Sequence, residues 1–145
     1  MRPALAVYVD TSAFLRGLLP DAFEHAQLNT LLADPAVAFV SSDLLRLEAR
    51  RAAVRLVAIG EATEALPPQV DSLLARVTLV QIDRSVVDRA AAIPEVVKSL
   101  DAIHVATAEL LGDSVDFAVT YDQQTAAVMT AHGIEAITAA QALHS

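Results

Sequence analysis

Four acids stand at positions from which a folded chain could bring them together: Asp10 in "VYVDTSAF", Glu48 in "LLRLEARRA", Asp101 in "SLDAIHVATA" and Asp122 in "FAVTYDQQTAAVMTAHG". Asp10 and Asp122 each follow directly on a short apolar run, and each also reads as the N-cap of the segment after it. Asp101 falls in the first turn of a helical segment, where a carboxylate suits the helix dipole. Glu48 lies in an apolar stripe of Leu45, Glu48, Ala52, Leu56 and Ile59, with Leu44 and Ala49 beside it. Such a glutamate needs a cation or a hydrogen-bond donor, and Arg51 and Arg55 at helical spacing are the plain alternative to a site.

Taken together, four converging carboxylates repel and resist ionisation unless a cation answers them. An all-oxygen set suits a hard cation, Mg²⁺ or Mn²⁺. The chemistry of such a centre is phosphodiester hydrolysis, with a metal-activated water attacking and metal charge stabilising the leaving oxygen. The hydroxyls of Thr11, Ser12 and Thr120 are placed to bind metal waters or to fix the carboxylates. Helix capping is their other reading, and here the cap after Asp10 is expected from Thr11 or Ser12.

The elements that must position these acids alternate. Strands are expected at Leu5–Val9, "AVAFVSS", "VTLVQID", "DFAVTYD" and "IEAIT". Helices are expected at "DAFEHAQLNTLLADP", at "SSDLLRLEARRAAVRLVAIG", from Pro67 and Pro68 through "QVDSLLARV", at "SVVDRAAAIPEVVKS" as far as Pro94, at "SLDAIHVATAELLGD" with Ser99 as cap, and at "QQTAAVMTAHG". Continuous apolar strands alternating with helices predict an α/β fold with a small, mainly parallel sheet covered on both faces. Sites in such folds lie beyond the carboxyl ends of the strands, which puts Asp10 and Asp122 at one edge. Asp116 precedes its strand and belongs to the opposite edge.

The chain has 145 residues, and residues 1–145 are expected to form one domain. It is 54% hydrophobic and 19% charged, which argues against disorder. Its formal net charge of -8 argues against a broad basic surface for nucleic acid, but not against a local one. It has no cysteine, which removes disulfides, thiolate metal sites and cysteine nucleophiles. Without a leader pattern or a membrane-length apolar run, the expectation is a soluble, cytoplasmic protein with no membrane partner.

The quoted segments, in this order, resemble the PIN-domain ribonucleases, and more narrowly the VapC-type toxins of bacterial type II toxin–antitoxin pairs. "SLDAIHVATA" and "TYD" are the more specific pieces, and the resemblance covers nearly the whole chain. It implies Asp10, Glu48, Asp101 and Asp122 as acidic ligands of Mg²⁺ or Mn²⁺. It further implies RNA as substrate, a homodimer, and a small VapB-like antitoxin partner. Many relatives carry Arg before the "SLD" segment. Here Lys98 stands there, which keeps the charge and loses the planar fork.

Arg46, Arg50, Arg51 and Arg55 are four of the ten basic residues, set within ten positions. They read as a strip for RNA phosphates beside Glu48, or as a solvated face paired with local acids. His104 reads as a packed or hydrogen-bonded core residue. His25, His132 and His144 form no constellation. Leu28, Leu31, Leu32, Val128 and Met129 are core or interface candidates. A PIN-type nuclease in RNA processing without an antitoxin is the nearest alternative. A haloacid-dehalogenase-like phosphatase wants a second Asp at position 12, where Ser12 stands. A receiver-like phosphoacceptor module wants a Lys after a late strand, and the only lysine, Lys98, follows none.

Overall fold

The computed structural model describes residues 5–144. Five short strands form the centre: β1 (Leu5–Val9), β2 (Val37–Ser42), β3 (Val77–Val80), β4 (Phe117–Val119) and β5 (Ala136–Ile137). They lie in the order β3-β2-β1-β4-β5, and every neighbouring pair is parallel. The chain winds outward from β1 to one side, then crosses back to lay β4 on the other. The switch point of the sheet therefore falls between β1 and β4, where open α/β sheets place their ligands.

Eight helices cover the sheet among the described residues. They are α1 (Thr11–Arg16), α2 (His25–Ala33), α3 (Leu44–Ala58), α4 (Leu66–Leu74), α5 (Arg84–Ala91), α6 (Ser99–Leu111), α7 (Gln123–Ala131) and α8 (Ala139–Leu143). Alternation along the strands divides the core. Val7, Val9, Phe117 and Val119 face a layer of α1, α2, α3, α4 and α8, through Phe14, Leu28, Leu45 and Val70. Tyr8 and Ala118 face the other way, onto Val105 of α6 and Val128 and Met129 of α7. Leu28, Leu31, Leu32, Val128 and Met129 are all buried core.

Local chemistry sets several element ends. Pro67 and Pro68 open α4, where a missing N–H is harmless. After α7, Gly133 takes φ 83°, letting Ile134 N–H donate to Met129 C=O at 2.9 Å and Gly133 N–H to Thr130 C=O at 3.1 Å. That left-handed turn suits glycine. Three expectations need correction. Ser99 does not cap α6: it is the first helical residue, and Lys98 holds the cap position with no side-chain bond. Ile59 is 60% exposed, and Ala53 takes the inner place on the α3 stripe with Leu45 and Ala49. The short helix α8 was outside the expected elements; it is capped by Thr138 and Gln141 in a reciprocal box.

On the α6–α7 side a charged knot closes the layer. His132 Nε2 lies 2.6 Å from Glu95 Oε1, and Nδ1 lies 2.6 Å from Glu109 Oε2. Arg89 of α5 pairs with Glu109 as well. A ring with a carboxylate against each nitrogen favours the imidazolium, because a neutral ring has only one N–H. The Glu95 contact, then Glu109, raises the His132 pKa, and His132 lowers that of Glu95. The stability from His132 is then complete below its unfolded value of about 6.5. It is lost as pH rises through the raised folded value. The stability from Glu95 is present above the ordinary carboxylate range and lost as pH falls through its lowered value. Urea titrations from about pH 5 to about pH 9 should show wild type losing stability on the alkaline side, and His132→Gln losing less.

Candidate active site

The site is assembled at the carboxyl ends of β1 and β4. The parallel register sets Val9 opposite Val119, so Asp10 and Thr120 emerge side by side. Asp10 is only 4% exposed. Its Oδ1 accepts from Ala13 N–H at 3.0 Å and from the Ser12 hydroxyl at 2.7 Å, and its Oδ2 accepts from the Thr120 hydroxyl. Asp10 is therefore itself the N-cap of α1, correcting the expectation that Thr11 or Ser12 would be. Ser12 and Thr120 instead brace the carboxylate. Ser12 Oγ also accepts from Tyr121 N–H at 3.0 Å, and Thr120 Oγ1 accepts from Asp122 N–H at 3.2 Å. Asp122 caps α7 by accepting from Thr125 N–H at 2.8 Å.

Glu48 reaches the same edge from α3. Its Oε1 accepts from the Thr11 hydroxyl at 2.6 Å and from His104 Nε2 at 3.0 Å. The expected alternative, a salt bridge from Arg51 or Arg55, is not formed: both are exposed, and neither stands in an ion pair among the described residues. Arg46 pairs with Asp43 at 3.2 Å and Arg50 with Asp71 at 2.9 Å, as a solvated face would. Lys98 is exposed three residues before Asp101. Asp116 accepts from Ala6 N–H at 2.8 Å, at the far edge of the sheet.

His104 joins these parts and was absent from the expected site. It is 2% exposed, on α6 one turn beyond Asp101. Its Nδ1 lies 2.7 Å from the Tyr8 hydroxyl, which also accepts from Ser42 N–H at 3.2 Å. Burial above all keeps the Tyr8 phenol protonated. In the tautomer that satisfies both neighbours, the Tyr8 O–H donates a hydrogen bond to Nδ1. Nε2 then carries the ring hydrogen and donates to Glu48. The only sequence signal for this was a histidine three residues after Asp101, one helical turn on.

The electrostatics of the four acids are unequal. Burial raises the Asp10 pKa, against the lowering effect of Thr120, Ser12, His104 and Ala13 N–H. Burial also acts upward on Glu48, but the hydrogen bonds from His104 and Thr11 outweigh it and the net shift is down. Asp101 is raised first by burial, then by the negative charge of Asp122, with Glu48 and Asp10 adding to it and His104 opposing. It forms no hydrogen bond to another described residue. The four acids thus share one field, which a cation would relieve. Among the described residues no three acid or imidazole side chains close around an ion by themselves. The donor set itself is all oxygen, the kind that suits a hard divalent cation.

The PIN domain family profile matches residues 7–129, a span that takes in all four acids. The chain belongs to the PIN domain family. This PIN domain is 34% identical over 121 residues to Ribonuclease VapC35 of Mycobacterium tuberculosis, covering 81% of this chain and 85% of that one. Its fold is also that of PAE2754 from Pyrobaculum aerophilum, with a TM-score of 0.64 at 18% identity over 92% of this chain and 84% of that one. A toxin-antitoxin complex from Klebsiella pneumoniae gives 0.61 at 18% identity, over 92% and 97%. In this PIN domain His104 ties Glu48 to Tyr8. His104→Leu is expected to lower stability by about 2–4 kcal/mol, because it strands the buried Tyr8 hydroxyl and loosens Glu48. Chemical denaturation measures it.

Proposed function

We propose that this PIN domain is an endoribonuclease dependent on Mg²⁺ or Mn²⁺, acting as the toxin of a toxin–antitoxin pair. The observation that carries the reading is the crowding of Asp10, Glu48, Asp101 and Asp122 at the β1–β4 switch point, with Asp101 feeling the charge of the other three. When bound, the ion supplies an activated water for in-line attack and stabilises the leaving oxygen. Asp101 and Glu48 Oε2, which accept no hydrogen bond from the described residues, are its natural holders, with Asp122 beside them. Asp10 keeps acceptor capacity on Oδ2 beyond the Thr120 bond. Thr11 holds the Glu48 carboxylate, and Ser12 and Thr120 hold that of Asp10, so these two need little reorganisation when substrate arrives.

The ribonuclease reading draws on the relative named Ribonuclease VapC35. The partner reading draws on that name and on structural neighbours solved as toxin-antitoxin complexes. Leu47 and Val54, 59% and 50% exposed on the outer face of α3, offer apolar surface for a VapB-like antitoxin or a second copy in a homodimer. No helix among the described residues is long and apolar enough to cross a membrane. Arg51, Arg55 and Lys98 remain open to RNA phosphates, and Arg46 and Arg50 could exchange exposed pairs for them.

Asp101→Asn separates this centre from a structural acidic cluster. The variant should melt no lower than wild type without metal, since it removes a repelling charge. It should lose Mn²⁺-dependent RNA cleavage and growth arrest on induced expression. It should also lose the stabilisation by Mn²⁺, about 2.7 kcal/mol for wild type at a hundredfold excess over Kd. Cleavage by the folded variant at the wild-type rate would remove the assignment.

A further inference from the structure

Beside the acid edge lies a cleft of about 420 Å³ whose lining includes Arg16, Phe23, Tyr121, Asp122, Gln123 and Gln141. That volume lies in the usual range for small-molecule and nucleotide sites, about 300–1,000 Å³. Two lining residues, Phe23 and Arg16, and the backbone of Glu24 beside them, have no part in the acid centre. Phe23 is 71% exposed. Arg16 sits half-buried with its guanidinium carbon 4.4 Å from the Tyr121 ring centroid, and it stands in no ion pair among the described residues. Glu24, next to Phe23, has φ 59°, and no other non-glycine described residue has a positive φ.

These features are built, not loose. A left-handed glutamate costs about 1–3 kcal/mol and persists only where its surroundings hold it. Here Glu24 Oε1 accepts from Ala140 N–H at 3.0 Å, and the Tyr121 hydroxyl accepts from Ala139 N–H at 3.0 Å. The start of α8 thus pins both Glu24 and Tyr121, and the turn so held leaves Phe23 outside the core. Tyr121 is also tied to the acid centre, because its N–H donates to the Ser12 hydroxyl that braces Asp10. The cleft is therefore bonded to the acid centre through Ser12.

We propose that this cleft seats an unpaired nucleobase of the RNA next to the bond that is cut, with Phe23 as stacking face and Arg16 as the cation beside it. The proposal rests on the ribonuclease reading and adds to it the group that positions the strand. Unpaired bases are held by aromatic faces and by guanidinium planes, and both are present within one cleft. Arg16 offers positive charge in a cleft whose other charged lining residue is Asp122, in a chain of net charge -8. Gln141 Oε1 accepts from Thr138 N–H at 2.8 Å, which leaves its two amide N–H donors for acceptor groups on a base edge.

The test uses the full chain with Ca²⁺ in place of Mg²⁺, and a short unstructured RNA carrying 2-aminopurine, whose fluorescence falls on stacking. Phe23→Ala should weaken binding about fivefold or more and reduce the quenching. Phe23→Leu should do the same, since it keeps the bulk and loses the ring face, whereas Phe23→Trp should retain both signals. Arg16→Gln should weaken binding and flatten its salt dependence. If wild type binds and cleaves RNA and the Phe23 variants match it, the stacking seat is overturned and the ribonuclease stands. Loss of a co-expressed protein partner, with RNA affinity unchanged, overturns it in the same way. Equal weakening by Leu and Trp overturns stacking as the cause. If wild type neither binds nor cleaves RNA, the ribonuclease reading falls and takes the seat with it.

Discussion

A carboxylate carried to 4% exposure at a strand end must be met by donors or by positive charge, and Asp10 imposes that condition on everything around it. The donors come from two elements far apart in sequence. Ala13 and Ser12 arrive with α1 directly, while Thr120 arrives only because β4 is inserted beside β1. Strand order thus decides whether Asp10 is a tolerable buried charge. The same insertion brings Asp122 to the edge, since it follows Thr120 by two residues and caps the next helix. The site is a consequence of solving the burial of one acid at the switch point of a parallel sheet.

The second half of the site is held from the opposite layer. Tyr8 points away from the face that carries Val7 and Val9, and so meets α6. Through His104 it reaches Glu48 of α3, which packs on the other side. One buried chain of hydrogen bonds therefore ties both helical layers together at the level of the carboxylates. This holds Glu48 low in pKa, while burial above all raises Asp10 and Asp101. Carboxylates crowded in one field repel, and a cation would relieve that repulsion.

Much of this was legible beforehand. The continuous apolar runs predict parallel strands covered on both faces, and all five strands are parallel, one at each of the five positions expected. Gly60, Gly112 and Gly133 close helices where the spacing placed the stops. The α3 stripe was misjudged at its far end: Ile59 lies beyond the part of the helix that the sheet covers, so hydrophobicity alone could not tell it from Ala53. The pairing of Glu48 was also open, because helical spacing offered Arg51 and Arg55 while the real partners, Thr11 and His104, lie 37 and 56 residues away.

The sequence by itself determined the kind of chemistry: which acids exist, which follow strands, and that the available ligands are oxygens without thiols. These are properties of residue type and of short-range periodicity, and they survive any detail of packing. Only the tertiary structure decided how the acids are held, with Asp10 as its own cap, His104 as the donor to Glu48, and Arg16 laid on Tyr121 beside an exposed Phe23. Those facts depend on which elements become neighbours and on which rotamers their crowding permits. Hydrogen bonds between residues about a hundred positions apart, such as Thr120 to Asp10, leave no periodic trace in the chain that forms them.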